Sequence, residues 1–363
     1  MSIAGKISVV LQHNAEVEIR SSRPLQLTAS LRGFAAAEII QRVPALYALC
    51  GRAQALAAHR ALQAAGALAP SDRQSGERAA AVEAVLEGIW RFAIDLPQWA
   101  GVSLSMAPFA RLRHALLQDE SEASGELLNQ YLTTQLLGEA PAQWASADGE
   151  AMLHWLYHSD APAAGLLREV EAVLLGVGGA AAAVTTPLLA CPSDEQLCEI
   201  AHAMKTDSYL AAPQWRGACV ETGARAYQQD HSWFANDSVM ALPQALQRLL
   251  ARLLELVSLV RHLTGNGVAL PVSGGLPLSD GDGVGWVRTA RGVLLHYAAA
   301  ERDRVSDYRI LAPTEWNFHP KGVLARAVSP WNTVPPSMRQ RWLALQVMSL
   351  DPCVAYELEV YDA

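Results

Sequence analysis

Val347-Met348-Ser349-Leu350-Asp351-Pro352-Cys353-Val354-Ala355-Tyr356-Glu357-Leu358-Glu359-Val360-Tyr361-Asp362 is the stretch whose reading decides the fold. Ser337 to Leu350 reads as a helix, and Asp351-Pro352 stops it, because a proline disfavours helical geometry at the residue before it. The first residue after the stop is a cysteine, Cys353.

Bulk composition narrows the classes. The chain has 363 residues, 51% hydrophobic and 18% charged, which describes a folded protein with a substantial core. A formal net charge of −8 argues against nucleic acid as the main partner. The five cysteines (Cys50, Cys191, Cys198, Cys219, Cys353) are too few and too scattered for a disulfide framework. The opening residues carry no secretion pattern, so free thiols in a cytoplasmic setting are expected. Ala172 to Ala190 is uncharged but rich in glycine and small residues, which fits a buried helix end and loop better than a membrane span.

Along the chain, Ile7, Val9 and Leu11 alternate, as do Val17 and Ile19, and predict a short hairpin. Helical periodicity dominates from Phe34 to about Leu263. Ser193 to Gln196 has the pattern of a capping box, and Pro243 to Leu263 is the clearest core helix. The Gly, Pro, Ser and Asp content between Gly265 and Gly285 predicts a long surface loop. Val293 to Ala298 and Tyr308 to Leu311 follow as strands. The expectation is one α+β domain over 1–363, mostly helical, with the two chain ends brought together.

A second stretch, Tyr47-Ala48-Leu49-Cys50-Gly51-Arg52-Ala53-Gln54-Ala55-Leu56-Ala57, places Cys50 before or within the first turn of a helix, a position that lowers a thiol pKa. Together the two stretches resemble the metal motifs of nickel–iron hydrogenase large subunits. Their N-terminal motif is Cys-Gly-x-Cys-x-x-x-His-Ala-Leu-Ala, and their C-terminal one is Asp-Pro-Cys-x-x-Cys-x-x-His. On that alignment Cys50 and Cys353 keep one cysteine of each half. Tyr47 and Tyr356 replace the other two, and Gln54 and Glu359 replace the histidines. Leu31-Arg32-Gly33-Phe34, Glu221-Thr222-Gly223-Ala224-Arg225, Ala290-Arg291-Gly292-Val293-Leu294-Leu295-His296 and Pro313-Thr314-Glu315-Trp316-Asn317 resemble further segments of the same family, in the same order. Ala4 and Ala35 stand where the family has glutamates, the first of which relays protons in the enzymes.

The resemblance implies a helical large-subunit-like core with small β elements from both chain ends. It also implies loss of hydrogen turnover. Nickel in the family takes four thiolates, and phenols are poor substitutes for soft sulfur. Two thiolates suffice for the iron fragment Fe(CN)2(CO), which arrives with its own ligands. Arg291 matches the arginine that hydrogen-bonds a cyanide there, and Tyr47 and Tyr356 either fill the space vacated by nickel or donate hydrogen bonds to the fragment. The combination resembles the HupK/HoxV maturation family, which implies an iron-fragment scaffold without nickel. A HypC-type chaperone and the hydrogenase large subunit are its implied partners, with no nucleic acid or membrane. A metal-free chaperone that mimics the large subunit is the alternative, with both cysteines as relics; an active hydrogenase or sensor is disfavoured. Cys198 and His202 have a spacing compatible with zinc, but a helix face carries such pairs by chance. Cys219 is expected to pack, and His59 and Arg60 to face solvent or a partner.

Overall fold

A computed structural model describes residues 5–12, 16–47, 49–69, 74–118, 122–176, 186–279 and 281–361. Ala4 and part of the uncharged 172–190 run lie outside them. The strands, in chain order, are β1 (Lys6–Leu11), β2 (Val17–Ser21), β3 (Leu188–Leu189), β4 (Glu221–Thr222), β5 (Ser273–Ser279), β6 (Asp282–Thr289), β7 (Gly292–Glu301), β8 (Arg304–Leu311) and β9 (Ala355–Val360). β1 and β2 form the expected hairpin, and β9 adds to β1 in parallel with Ile7 opposite Tyr356. This pairing joins the two chain ends. No described helix is long and apolar enough to cross a membrane.

Helices fill most of the interval between the end strands. The first three are α1 (Ala36–Leu46), α2 (Gly51–Ala64) and α3 (Gln74–Trp90). The capping box at Ser193 forms as read, with Ser193 Oγ accepting from the Gln196 amide at 3.3 Å. The helix Gln244–Leu263 is buried along nearly its whole length. Its charged residues therefore need partners. Arg248 donates twice to Glu221 at 2.8 and 3.0 Å, Arg252 donates to Asp351 at 2.9 Å, and Glu255 accepts from Arg288 at 2.6 and 2.7 Å.

The expected long loop over about 265–285 is a correction: from Ser273 onward it is sheet, β5 and β6 of an antiparallel order β5-β6-β7-β8. Its glycines serve close packing rather than turning. A Cβ on Gly285 would sit 2.5 Å from the Ala61 amide nitrogen and 2.7 Å from the Ala57 carbonyl, so glycine lets α2 lie directly on the sheet. The same packing corrects the solvent-facing expectation for His59 and Arg60. Arg60 is 4% exposed and donates to Ser273 Oγ at 2.9 Å and Glu77 at 3.0 Å, and His59 is half-buried.

Two cores meet at the region of interest. One gathers β1 and most helices, with Cys353 and Tyr356 packed at its edge. The other lies between α1, α2 and the sheet, with Tyr47 and Cys50 at its edge.

Candidate functional site

The last helix, Pro336–Leu350, ends as the proline requires, and Asp351 adopts the left-handed region at φ 53°. Asp351 is 2% exposed. It accepts hydrogen bonds from Arg91 and from Arg252, and Arg291 Nε lies 3.6 Å from its Oδ1. Their positive charge holds the Asp351 carboxyl down at about 2 despite its burial. Three arginines on separate elements thus fix the turn that carries Cys353.

The sulfur of Cys353 is surrounded by donors. Arg23 Nη1 donates to it at 3.3 Å. Thr314 Oγ1 lies 3.0 Å away and accepts from the Cys353 amide at 3.3 Å, which leaves the hydroxyl proton to turn toward sulfur. Thr314 comes from the short helix Pro313–Asn317, whose Glu315 pairs with Arg23 at 3.1 Å.

Cys50 arrives from the other core, at the cap of α2, and Cys353 is close enough to raise its pKa. Arg23 and Tyr47 each sense both sulfurs. All five cysteines are free thiols. The expected lowering of Cys50 by the helix N-terminus is a correction. Burial pushes this thiol up, and Cys353 and Glu87 add to the rise. The amides that make a helix N-terminus electropositive are already engaged here. Glu83 of α3 accepts from the Arg52 amide at 2.9 Å and the Ala53 amide at 3.0 Å.

A directed chain of hydrogen bonds ends on Cys50. His296 is fully buried, and burial drops its pKa to about 3, so it is neutral. With the Gln54 amide turned as it is, Tyr308 Oη donates to His296 Nδ1 at 2.7 Å. His296 Nε2 then donates to Gln54 Oε1 at 2.9 Å, and Gln54 Nε2 donates to Cys50 Sγ at 3.6 Å. By the motif resemblance Gln54 takes the place of a histidine, and it offers the sulfur a donor.

Arg291 lies within electrostatic reach of both sulfurs and donates to Glu87 at 2.6 Å. Its Nε has no hydrogen-bond partner among the described residues. Two further sequence segments converge on its backbone. Gly223, at φ 116°, leaves room for the Arg291 carbonyl, which a Cβ would approach to 2.9 Å. Asn317 donates to Thr222 O at 3.0 Å and to Arg291 O at 3.4 Å.

Tyr47 faces the site, its phenol pushed up to about 12 by burial. Tyr356 sits on the arginine side of Asp351, where Arg91, Asp95 and Asp351 are the charges acting on it. Glu359 accepts from Tyr361 at 2.8 Å, along β9. Cys219 lies 3.4 Å from His319 Nδ1, and Cys198 lies 3.7 Å from His202 Nδ1. No group of three or more His, Cys, Asp or Glu side chains among the described residues is arranged to hold a metal. Two thiols alone under-coordinate a bare divalent cation, whereas a metal that brings its own ligands needs few protein donors. Arg23 carries no motif, and sequence reasoning missed it. Thr314 and His296 lay inside quoted segments, whose order in the chain was their only signal.

The nickel-dependent hydrogenase family matches residues 185–356. The hydrogenase expression/formation protein HoxV of Cupriavidus necator is 29% identical over 95% of this chain and 93% of its own length. The hydrogenase expression/formation protein HupK of Azotobacter vinelandii is 29% identical over 96% of this chain and 95% of its own length. In fold, the [NiFeSe] hydrogenase of Desulfovibrio vulgaris Hildenborough is similar with a TM-score of 0.51 at 14% identity, covering 94% of each chain. By motif and by likeness over nearly its whole length, the chain is similar to the hydrogenase expression/formation proteins HoxV and HupK, and its α+β architecture is that of a nickel–iron hydrogenase large subunit.

Proposed function

We propose that the protein is a non-catalytic assembly scaffold in nickel–iron hydrogenase maturation. It carries the Fe(CN)2(CO) fragment as cargo on Cys50 and Cys353 and passes it toward the apo large subunit. The observation that carries this reading is that two free thiols from opposite ends of the chain lie within electrostatic reach of each other, amid donors. Such a site suits an iron already furnished with strong-field ligands. The donors suit anionic cyanide: Thr314 offers a hydroxyl, and Arg291 offers a buried guanidinium within electrostatic reach of both sulfurs.

Thiolate exchange is the transfer step. Each iron–sulfur bond to this protein breaks as one to a receiving cysteine forms, and the thiol proton of the incoming group passes to the departing sulfur. The relatives' names support a maturation role, and a HypC-type chaperone and the large subunit are the partners this role requires.

The test is infrared spectroscopy of protein purified without oxygen alongside the maturation proteins. Cyanide and carbonyl stretching bands are expected, and Cys50→Ser or Cys353→Ser should lose them while keeping the wild-type circular dichroism. Clean absence of bands in the loaded wild type would favour a metal-free chaperone that mimics the large subunit.

A further inference from the structure

Cys353 has a neighbour that the pairing of the two thiols does not require. Arg23 follows β2, and its Nη1 donates to Cys353 Sγ at 3.3 Å. The same nitrogen lies 3.1 Å from Glu315 Oε1, and both side chains are 6% exposed. Glu315 is itself held, because it accepts from the Ala312 amide at 3.1 Å. On another side the guanidinium faces the ring of Tyr47, 6.0 Å from its centroid. The cation is therefore clamped against the sulfur rather than resting near it.

The space beyond it is open. A cavity of about 200 Å³ is lined by Ser21, Arg23, Thr314, Glu315 and the apolar side chains of Ile7 and Phe318. A hydrated metal ion would have room there. Arg23 and Thr314 are the lining residues that also touch Cys353 Sγ.

A sulfur that bridges two metals uses two of its lone pairs. A guanidinium donating to it takes up one direction and puts a permanent positive charge where a second cation would bind. Resting on the reading of the two thiols as the seat of the iron fragment, we propose that Arg23 determines the metal specificity of the site. It caps Cys353 so that the pair accepts one metal bearing its own anionic ligands and rejects free divalent cations. Tyr47 and Tyr356 remove ligands for a second metal; Arg23 supplies the barrier against one.

Cobalt(II) titration of the full-length apo protein without oxygen tests this, read by sulfur-to-cobalt charge-transfer absorption. Wild type should show no more of this band than Cys50→Ser/Cys353→Ser, which sets the background from the other thiols. Arg23→Met combined with Glu315→Gln, which avoids a buried unpaired carboxylate, should gain the band with cobalt affinity at least about tenfold tighter. Adding Cys353→Ser should abolish the gain. Arg23→Gln, similar in length but uncharged, runs in parallel as the readout if the double variant is unfolded by circular dichroism. A wild-type band equal to that of the folded variants would overturn the proposal, and so would folded variants without a band. No iron fragment is present, so this outcome is independent of the infrared test of the carrier itself.

Discussion

Asp351 accepts from Arg91 and Arg252 and faces Arg291, so one buried carboxylate serves three cations. Its pKa is held at about 2, below its ordinary 3.8. A lowered carboxylate pKa stabilises the fold fully above the unfolded value and loses that contribution as pH falls through the folded value. The window is therefore acidic, from about pH 4 down to about pH 2. Asp351→Asn leaves three guanidinium groups without their shared counter-charge, and breaking a buried pair in this way costs about 3–5 kcal/mol. The gap in unfolding free energy between wild type and Asp351→Asn should narrow by about 1 kcal/mol from pH 5 to pH 3. Urea unfolding at both values measures it. An unchanged gap would mean that Asp351 is not the charged centre of the cluster.

At the scale of elements, α2 is the part on which the site's geometry depends. It carries Cys50 at its cap and Gln54 in its first turn, and it lies on β6 because Gly283 and Gly285 have no side chains. Gly285→Ala would drive a methyl into the backbone of α2, which cannot yield as a flexible side chain does. Overpacking of this kind costs about 1–3 kcal/mol. The expected outcome is a lowered melting temperature and, because α2 shifts, weaker retention of the iron fragment. Gly165→Ala, inside the helix Pro162–Gly176 where a Cβ has room, should be neutral or stabilising by about 0.5–1 kcal/mol. Equal effects of the two substitutions in thermal melts would show that the close approach of helix and sheet does not matter.

For the whole molecule, the fold resembles a hydrogenase large subunit. By the motif resemblance Tyr47 takes the place of a thiolate, and burial raises its phenol to about 12, so at neutral pH it is uncharged. An uncharged phenol offers nickel neither the charge nor the softness of sulfur. Metal analysis of protein co-produced with the maturation proteins should therefore find iron with little nickel. Equal nickel and iron together with hydrogen oxidation would restore an enzymatic reading.

The sequence by itself determined the elements whose signals are local. Pro352 stops the last helix, Ser193 and Gln196 cap another, and alternation at Ile7, Val9 and Leu11 marks β1. It also determined which cysteines to compare, because motif order survives when individual ligands are replaced. Composition misled in the Gly/Pro/Ser-rich stretch over about 265–285, since a glycine that admits a neighbouring helix looks the same in sequence as one that turns a chain. Helix position likewise misled at Cys50, because the sequence does not show that Glu83 of α3 occupies the α2 amides or that Glu87 and Cys353 lie nearby. The meeting of Arg23 with Cys353 was decided by tertiary structure alone. Burial and the charges of distant residues set the state of a buried group, and both exist only once the chain has packed.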